Sequence, residues 1–147
     1  MNAIRPSVAP LDAPKLQTLL YRSLPALDLH GLAVEACEDG EVRLRFPFDP
    51  SFVGPGEIFS GPTLLSFADT AIYAAAQAAY GEAALALTST INATFLRPAQ
   101  ASDTLALARV VKRGRQLAHV EAWLFNHVAI DAVLHATASC AIAAAGG

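Results

Sequence analysis

The residue whose chemistry stands out is Asp69, because it lies inside a long apolar stretch at residues 58–80 that holds no other acidic residue. A carboxylate among apolar side chains has to be paired, hydrogen-bonded or functional, since burying it alone is costly. Such a group can serve as a general base for water or as a nucleophile. A solvent-facing or hydrogen-bonded acid without a catalytic role also fits the pattern.

A second group with chemical potential is the backbone of Gly61. The run Ser60-Gly61-Pro62 predicts the start of a helix, since Ser caps helices and Pro is tolerated in the first turn. The first N–H groups of a helix lack partners and carry the positive end of its dipole. The Gly61 N–H is therefore suited to hold an oxygen that gains negative charge, with no side chain in the way. A glycine needed only for the tight turn into the helix is the alternative.

Asp69 lies eight residues beyond Gly61, which is about 12 Å along a helix axis. One carbonyl group cannot touch both. If the two serve one substrate, they must come from two antiparallel helices, which predicts a two-fold dimer with active sites at its seam.

The elements that position these groups follow from periodicity. An Ala-rich helix is predicted from Ser60 to Tyr80 and ends at Gly81, and a short amphipathic helix is predicted at 15–24, after a loose arm at 1–14. Asp39-Gly40 indicates a hairpin turn. Six strands are predicted, at 32–37, 42–48, 86–96, 104–113, 117–125 and 133–144, and a turn at 126–131. Because the helix is apolar nearly all round, we expect one α+β domain over 1–147, a curved antiparallel sheet wrapped around one long central helix.

The amino-acid composition argues against several classes of function. The hydrophobic fraction is 54%, the charged fraction 16% and the net charge −3, which favours a folded domain and argues against a binder of nucleic acid or anionic membranes. No apolar run is long enough to span a membrane, and the N-terminus lacks the core of a signal peptide. Cys37 and Cys140 are isolated and the histidines follow no metal-binding spacing, so we expect no metal and a reducing, cytoplasmic setting.

Three segments together resemble a known family. They are Ser-Gly-Pro opening an apolar helix with Asp69 eight residues after Gly61, Ala-Leu-Thr-Ser-Thr-Ile-Asn-Ala-Thr-Phe-Leu-Arg-Pro-Ala at 86–99, and Arg-Val-Val-Lys-Arg-Gly-Arg-Gln-Leu-Ala at 109–118. Over about residues 34–143 the chain resembles hotdog-fold acyl-CoA thioesterases of the PaaI (phenylacetate-pathway) type. The resemblance implies a homodimer, often a dimer of dimers, that hydrolyses acyl-CoA thioesters without metal or other cofactor.

The resemblance also implies roles for single residues. The acid of the helix corresponds to Asp69, the glycine whose N–H holds the thioester oxygen to Gly61, and a strand hydroxyl that assists the attacking water to Thr88. The chain departs from many members at two places. It has Ser60-Gly61-Pro62 where they have His-Gly-Gly, and Gly54 where they carry a loop amide.

We expect further residues to bind the substrate. Tyr73 lies one turn beyond Asp69 on the same helix face, and strand alternation places Thr90 on the same face as Thr88. Such a Tyr, or either Thr, is as often purely structural. Residues expected to shape an apolar cavity for an aryl or medium-chain acyl group, or to flank the helix start, are Phe52, Phe59, Ser60, Pro62, Phe67 and Tyr73.

Half of the basic residues fall in one part of the sequence. They are Arg97, Arg109, Lys112, Arg113 and Arg115. In an acidic protein this concentration indicates an anion site, which the phosphates of CoA would fit. A solvated hairpin tip is the alternative.

Two other functions remain open at this point. One is a non-catalytic acyl-CoA-binding hotdog protein. The other is an enoyl-CoA hydratase, although hydratases of this superfamily have a His five residues after the Asp, where this chain has Ala74.

Overall fold

A computed structural model describes residues 11–126 and 130–144 of the chain. The elements follow the predicted order of a short helix, two strands, a long helix and four strands, with a second short helix at Ala26–Leu29 that was not predicted. They are α1 (Ala13–Ser23), α2 (Ala26–Leu29), β1 (Ala33–Glu38), β2 (Glu41–Phe46), α3 (Gly61–Tyr80), β3 (Ala84–Phe95), β4 (Thr104–Arg113), β5 (Leu117–Asn126) and β6 (Ala132–Ala144), with short 3₁₀ turns at Pro50–Phe52 and Pro55–Glu57.

The six strands form one antiparallel sheet in the order β1-β2-β4-β5-β6-β3. Helix α3 packs against one face of this curved sheet, which confirms the predicted architecture. Five of the nine buried residues of α3 are alanines, which let helix and sheet approach closely at these positions. The buried ones are Leu64, Phe67, Ala68, Ala71, Ile72, Ala74, Ala75, Ala76 and Gln77.

Local signals set the ends of α3 and the first hairpin as predicted. The Ser60 hydroxyl accepts a hydrogen bond from the Thr63 N–H (3.3 Å), and Gly81 ends the helix at a φ of 87°. Asp39 and Gly40 have φ values of 52° and 78°, the left-handed pair that a tight hairpin requires.

Helix α1 begins at Ala13, two residues earlier than predicted. The Asp12 carboxylate accepts a hydrogen bond from the Lys15 N–H (2.9 Å), so it caps a helix whose first turn includes Pro14. The predicted loose arm therefore does not include residues 13 and 14. Residues 1–10, and residues 127–129 of the predicted turn at 126–131, lie outside the described residues.

The expectation that the sheet would hide every face of α3 is wrong for this chain. Pro62, Leu65 and Ser66 are exposed, and Asp69, Thr70 and Tyr73 are only partly buried. One sheet covers one side of a helix, so the opposite side stays open. We call these six residues the open stripe of α3. No helix in the described part of the chain is both long enough and apolar enough to cross a membrane.

Candidate functional site

Asp69 lies on the open stripe, beside strand β3. Its Oδ1 accepts a hydrogen bond of 2.7 Å from the Thr88 hydroxyl. No other protein hydrogen bond and no ion pair reaches this carboxylate from the described residues. The structure therefore brings two predicted site residues together and leaves the second carboxylate oxygen free to take a proton or attack a carbon.

Behind Thr88 lies Cys140 of β6, a residue that no signal in the sequence connects with the acid. The two are Cα partners in the sheet, and Cys140 is fully buried. Burial raises the pKa of the Cys140 thiol, the Thr88 hydroxyl opposes this rise by hydrogen bonding, and the Asp69 charge adds to it. The thiol therefore stays protonated and backs the Asp69–Thr88 pair rather than acting as a nucleophile.

Thr90 does not share a face with Thr88, contrary to the prediction. Thr88 pairs with Cys140 while Thr90 pairs with Ser139, the next residue of β6, so one extra residue bulges from β3 at Ser89. A bulge shifts the two-residue alternation of side chains. Thr90 consequently lies on the sheet face that points away from α3 and Asp69.

Gly61 is the first residue of α3, and its N–H has no acceptor among the described residues. A Cβ built on Gly61 would meet only the Phe95 ring, at 3.8 Å, which is ordinary contact. Packing therefore does not require a glycine here. The Ser60 hydroxyl is already engaged, since it caps α3 and hydrogen-bonds the Thr63 hydroxyl at 2.8 Å.

Two cavities flank the first turns of α3. One, of about 370 Å³, adjoins Gly61 and is lined by Phe59, Phe95 and Arg97 among others. The other, of about 400 Å³, lies beneath α2 and is lined by Phe52 and Phe67, as predicted, but not by Phe59 or Tyr73. Phe59 instead packs against Phe67, with ring centroids 6.1 Å apart, and Tyr73 packs against the core.

The basic residues do not form one cluster within the chain. Arg97 lies near the start of α3 and donates a hydrogen bond to the Ala132 carbonyl. Arg113 lies near the end of α3, where its guanidinium stacks 4.7 Å from the centre of the Tyr80 ring. The 20-residue helix separates these ends by roughly 30 Å. Lys112 and Arg115 belong to the same β4–β5 hairpin tip as Arg113.

Arg109 is occupied by a different network on the outer face of the sheet. It forms an ion pair with Glu121 (3.4 Å) and lies over the Trp123 ring (5.7 Å). A hydrogen bond with His135, reinforced by Arg109, holds the pKa of Glu121 below its usual value. Arg109 therefore contributes to the sheet surface rather than to the Asp69 region.

The curved antiparallel sheet wrapped on one long helix is the hotdog fold. The family model "Thioesterase superfamily" matches residues 56–128, about half of the chain, and the chain belongs to this superfamily.

Individual proteins support this assignment. A Halobacterium salinarum protein named "putative esterase" is 38% identical over 93 residues, which cover 60% of this chain and only 61% of the length of that relative. The crystal structure of a "putative thioesterase" from Silicibacter sp. TM1040 is 29% identical with a TM-score of 0.83, covering 90% of this chain and 92% of that one. The Escherichia coli PaaI protein shares the fold, with a TM-score of 0.78, 20% identity and coverage of 92% and 94%.

Proposed function

We propose that the protein hydrolyses acyl-CoA thioesters to a free acid and CoA. The observation that carries the proposal is the Asp69–Thr88 contact of 2.7 Å on the open stripe of α3, with a carboxylate oxygen left free. Family membership supports the same reaction class.

In one route, Asp69 removes a proton from water as the water oxygen attacks the thioester carbon. In the other, the carboxylate itself attacks and forms an anhydride that water then cleaves. In both, the carbonyl oxygen becomes an oxyanion held by the Gly61 N–H. The C–S bond then breaks, and the CoA sulfur leaves and takes up a proton.

Because Gly61 and Asp69 of one chain are about 12 Å apart, the proposal requires a second copy. The two edges of the sheet differ in a way that supports this. At β1 the edge is covered by α1, and the Gln17 side chain accepts a hydrogen bond from the Val34 N–H (2.9 Å). At β3 no other strand of the described residues pairs with the edge, whose 12 residues include no charge and no Pro, and Leu85 and Leu87 are 43% and 57% exposed. Natural proteins rarely leave such an edge unpaired.

Antiparallel pairing of β3 with β3 of a second copy would join the two halves of the site. If the two-fold axis passes near Ile91 and Asn92, Thr88 lies opposite Phe95 of the second copy. Asp69 contacts Thr88, and Gly61 lies beside Phe95, so this register would bring Asp69 towards Gly61 of the other copy. It would also place the basic β4–β5 tip of one copy at the Arg97 end of the other, where they can bind CoA phosphates together.

The first experiment measures CoA release from a panel of aryl and medium-chain acyl-CoAs. We expect Asp69→Asn to lower kcat/KM by about 100-fold or more, which is the usual contribution of a general base. Thr88→Val should lower kcat/KM by roughly tenfold, because the acid loses the hydrogen bond that orients it. Thr18→Val is the matched control, since its hydroxyl bonds only the Pro14 carbonyl on α1.

The same panel tests Gly61. Gly61→Leu puts a bulky side chain over the helix start and should abolish turnover, whereas Gly61→Ala has room at 3.8 Å from Phe95 and should keep most of it. Wild-type rates in Asp69→Asn would remove this acid from the mechanism. Tight binding of CoA esters by calorimetry with no release of CoA would favour the non-catalytic binder. Hydration of an enoyl-CoA would favour the hydratase.

A further inference from the structure

The 400 Å³ cavity beneath α2 is built mostly by residues outside the segment that matches the thioesterase superfamily. The matched segment begins at residue 56, whereas most of the apolar wall precedes it. The apolar lining residues that matter are Leu27, Leu32, Phe46, Pro47, Phe52 and Phe67. Most of the cavity wall therefore lies outside the segment that the family model covers.

Part of the cavity lining lies near the candidate catalytic acid along α3. Ser66 and Thr70 of α3 line the cavity, and they stand three residues before Asp69 and one residue after it. Side chains three apart on a helix have Cβ atoms about 5–6 Å from each other. A thioester held at Asp69 can thus direct its acyl group across Ser66 into the cavity.

The lining residues indicate which kind of chemical group the cavity can bind. Among the lining residues that the structure describes there is no Asp, Glu, Lys or Arg, and the one titratable side chain is that of His30. The Phe67 ring stacks on Phe46 at 4.3 Å between centroids and meets Phe52 edge-on at 5.3 Å, so the aromatic wall is already packed in place. A neutral, apolar group gains most from such a wall, while a charged group would lose its hydration without a partner.

Leu27 of α2 forms part of the cavity wall. Its position is fixed by backbone hydrogen bonds from the Leu27 N–H to the Leu24 carbonyl (2.9 Å) and from the Leu32 N–H to the Leu27 carbonyl (3.1 Å). The cavity is at the small end of the range of ligand pockets, about 300–1,000 Å³, so it suits an acyl group of roughly ten carbons or fewer.

We propose that this cavity is the acyl-group pocket of the enzyme and that Leu27 sets the size of the acyl group, an apolar aryl or medium-length alkyl acyl group. The inference rests on the proposed function for its catalytic meaning. Binding of an apolar acid in the cavity does not depend on turnover, so it can be tested separately.

The experiment compares wild type with Leu27→Trp, Leu27→Ala and Leu24→Trp on straight-chain acyl-CoAs from acetyl to palmitoyl and on phenylacetyl-CoA. Leu27→Trp fills the cavity and should lower kcat/KM for octanoyl-CoA about tenfold or more while leaving acetyl-CoA nearly unchanged. Leu27→Ala should move the preferred chain length upwards. Leu24→Trp, in the same segment but outside the lining, should keep the wild-type profile.

Binding of octanoate is measured in parallel by calorimetry, and we expect it to be lost in Leu27→Trp and kept in Leu24→Trp. An unchanged chain-length profile in both Leu27 variants would overturn the pocket assignment, as would octanoate binding to Leu27→Trp with wild-type affinity. If wild type cleaves no thioester but octanoate binding still depends on Leu27, the hydrolase proposal fails and the pocket stands. If Leu27→Trp does not fold, Leu27→Ala still tests the pocket assignment, because this substitution only removes side-chain volume.

Discussion

Asp69 is oriented by a neutral hydroxyl rather than by a cation. Thr88 donates to one of its oxygens, and Cys140 lies behind Thr88 in the core. A neutral donor orients a carboxylate without neutralising its charge, which suits a group that has to accept a proton or attack a carbon. Asp69, Thr88 and Cys140 thus follow one another from the open stripe of α3 to the buried core. We call these three residues the Asp69 stack.

The two thiols provide a test of the Asp69 stack. Burial raises the pKa of both Cys37 and Cys140, so both hold less thiolate at a given pH than a free thiol, and labelling should speed up as the pH rises. With Ellman's reagent at pH 8, we expect fully buried Cys140 to react only after unfolding in urea, and half-buried Cys37 to react slowly in the native protein. Cys37→Ser isolates Cys140. Reaction of native Cys140 as fast as a free thiol would contradict its burial behind Thr88.

At the scale of elements, the placement of β3 beside α3 depends on Gln77. Its side chain is buried and spans the turn between the two elements, donating to the Gly81 and Ala84 carbonyls (2.9 and 2.6 Å) and accepting from the Ala86 N–H (3.3 Å). These bonds hold the start of β3, and the last of them, at Ala86, lies two residues before Thr88. In the sequence, Gln77 is only a lone amide in an apolar helix, and nothing local shows which backbone groups it reaches.

We expect Gln77→Ala to lower the free energy of unfolding by about 2–4 kcal/mol, because buried backbone groups lose their partners at about 1–3 kcal/mol each. Urea unfolding at fixed protein concentration measures this, with exposed Gln116→Ala as the matched control. Concentration is held constant because association would change the apparent stability. A difference between the two variants within about 0.5 kcal/mol would show that Gln77 is not needed to hold the turn.

At the scale of the whole molecule, residues 11–126 and 130–144 leave three features without a partner among themselves. They are the unpaired edge of β3, the open stripe of α3 and the unpartnered Gly61 N–H. A two-fold copy of the chain would cover the first two and place the third opposite Asp69. The basic residues are divided between the two ends of α3. An antiparallel second copy would bring the two groups together, because it places the start of one α3 near the end of the other.

Subunit complementation tests this arrangement. Asp69→Asn and Gly61→Leu should each be inactive alone. If the two groups act across the two-fold axis, a dimer with one chain of each kind has one intact site and one doubly defective site. Unfolding and refolding an equal mixture should then restore about a quarter of wild-type activity, since half of the dimers are mixed. Activity that stays at the level of the single variants, although mixed dimers form, would mean that both groups act within one chain.

Sequence reasoning predicted most of the fold because its signals are local. The caps at Ser60 and Gly81, the Asp39-Gly40 hairpin and the alternating strands each depend on residues close together in the chain, and the element order then leaves few topologies. Asp69 and Gly61 were found for the same reason, since an acid in an apolar helix and a glycine at its start are visible without tertiary contacts.

By itself, then, the sequence determined the helix and strands, the antiparallel architecture and the two groups suited to chemistry. Tertiary structure alone decided which partners those groups have. The bulge at Ser89 turned Thr90 away, the sheet covered only one side of α3, and the pairing of β3 with β6 put Cys140 behind Thr88. Each of these depends on strand register and packing between residues far apart in the chain, and a shift of one residue reverses which face a strand side chain occupies.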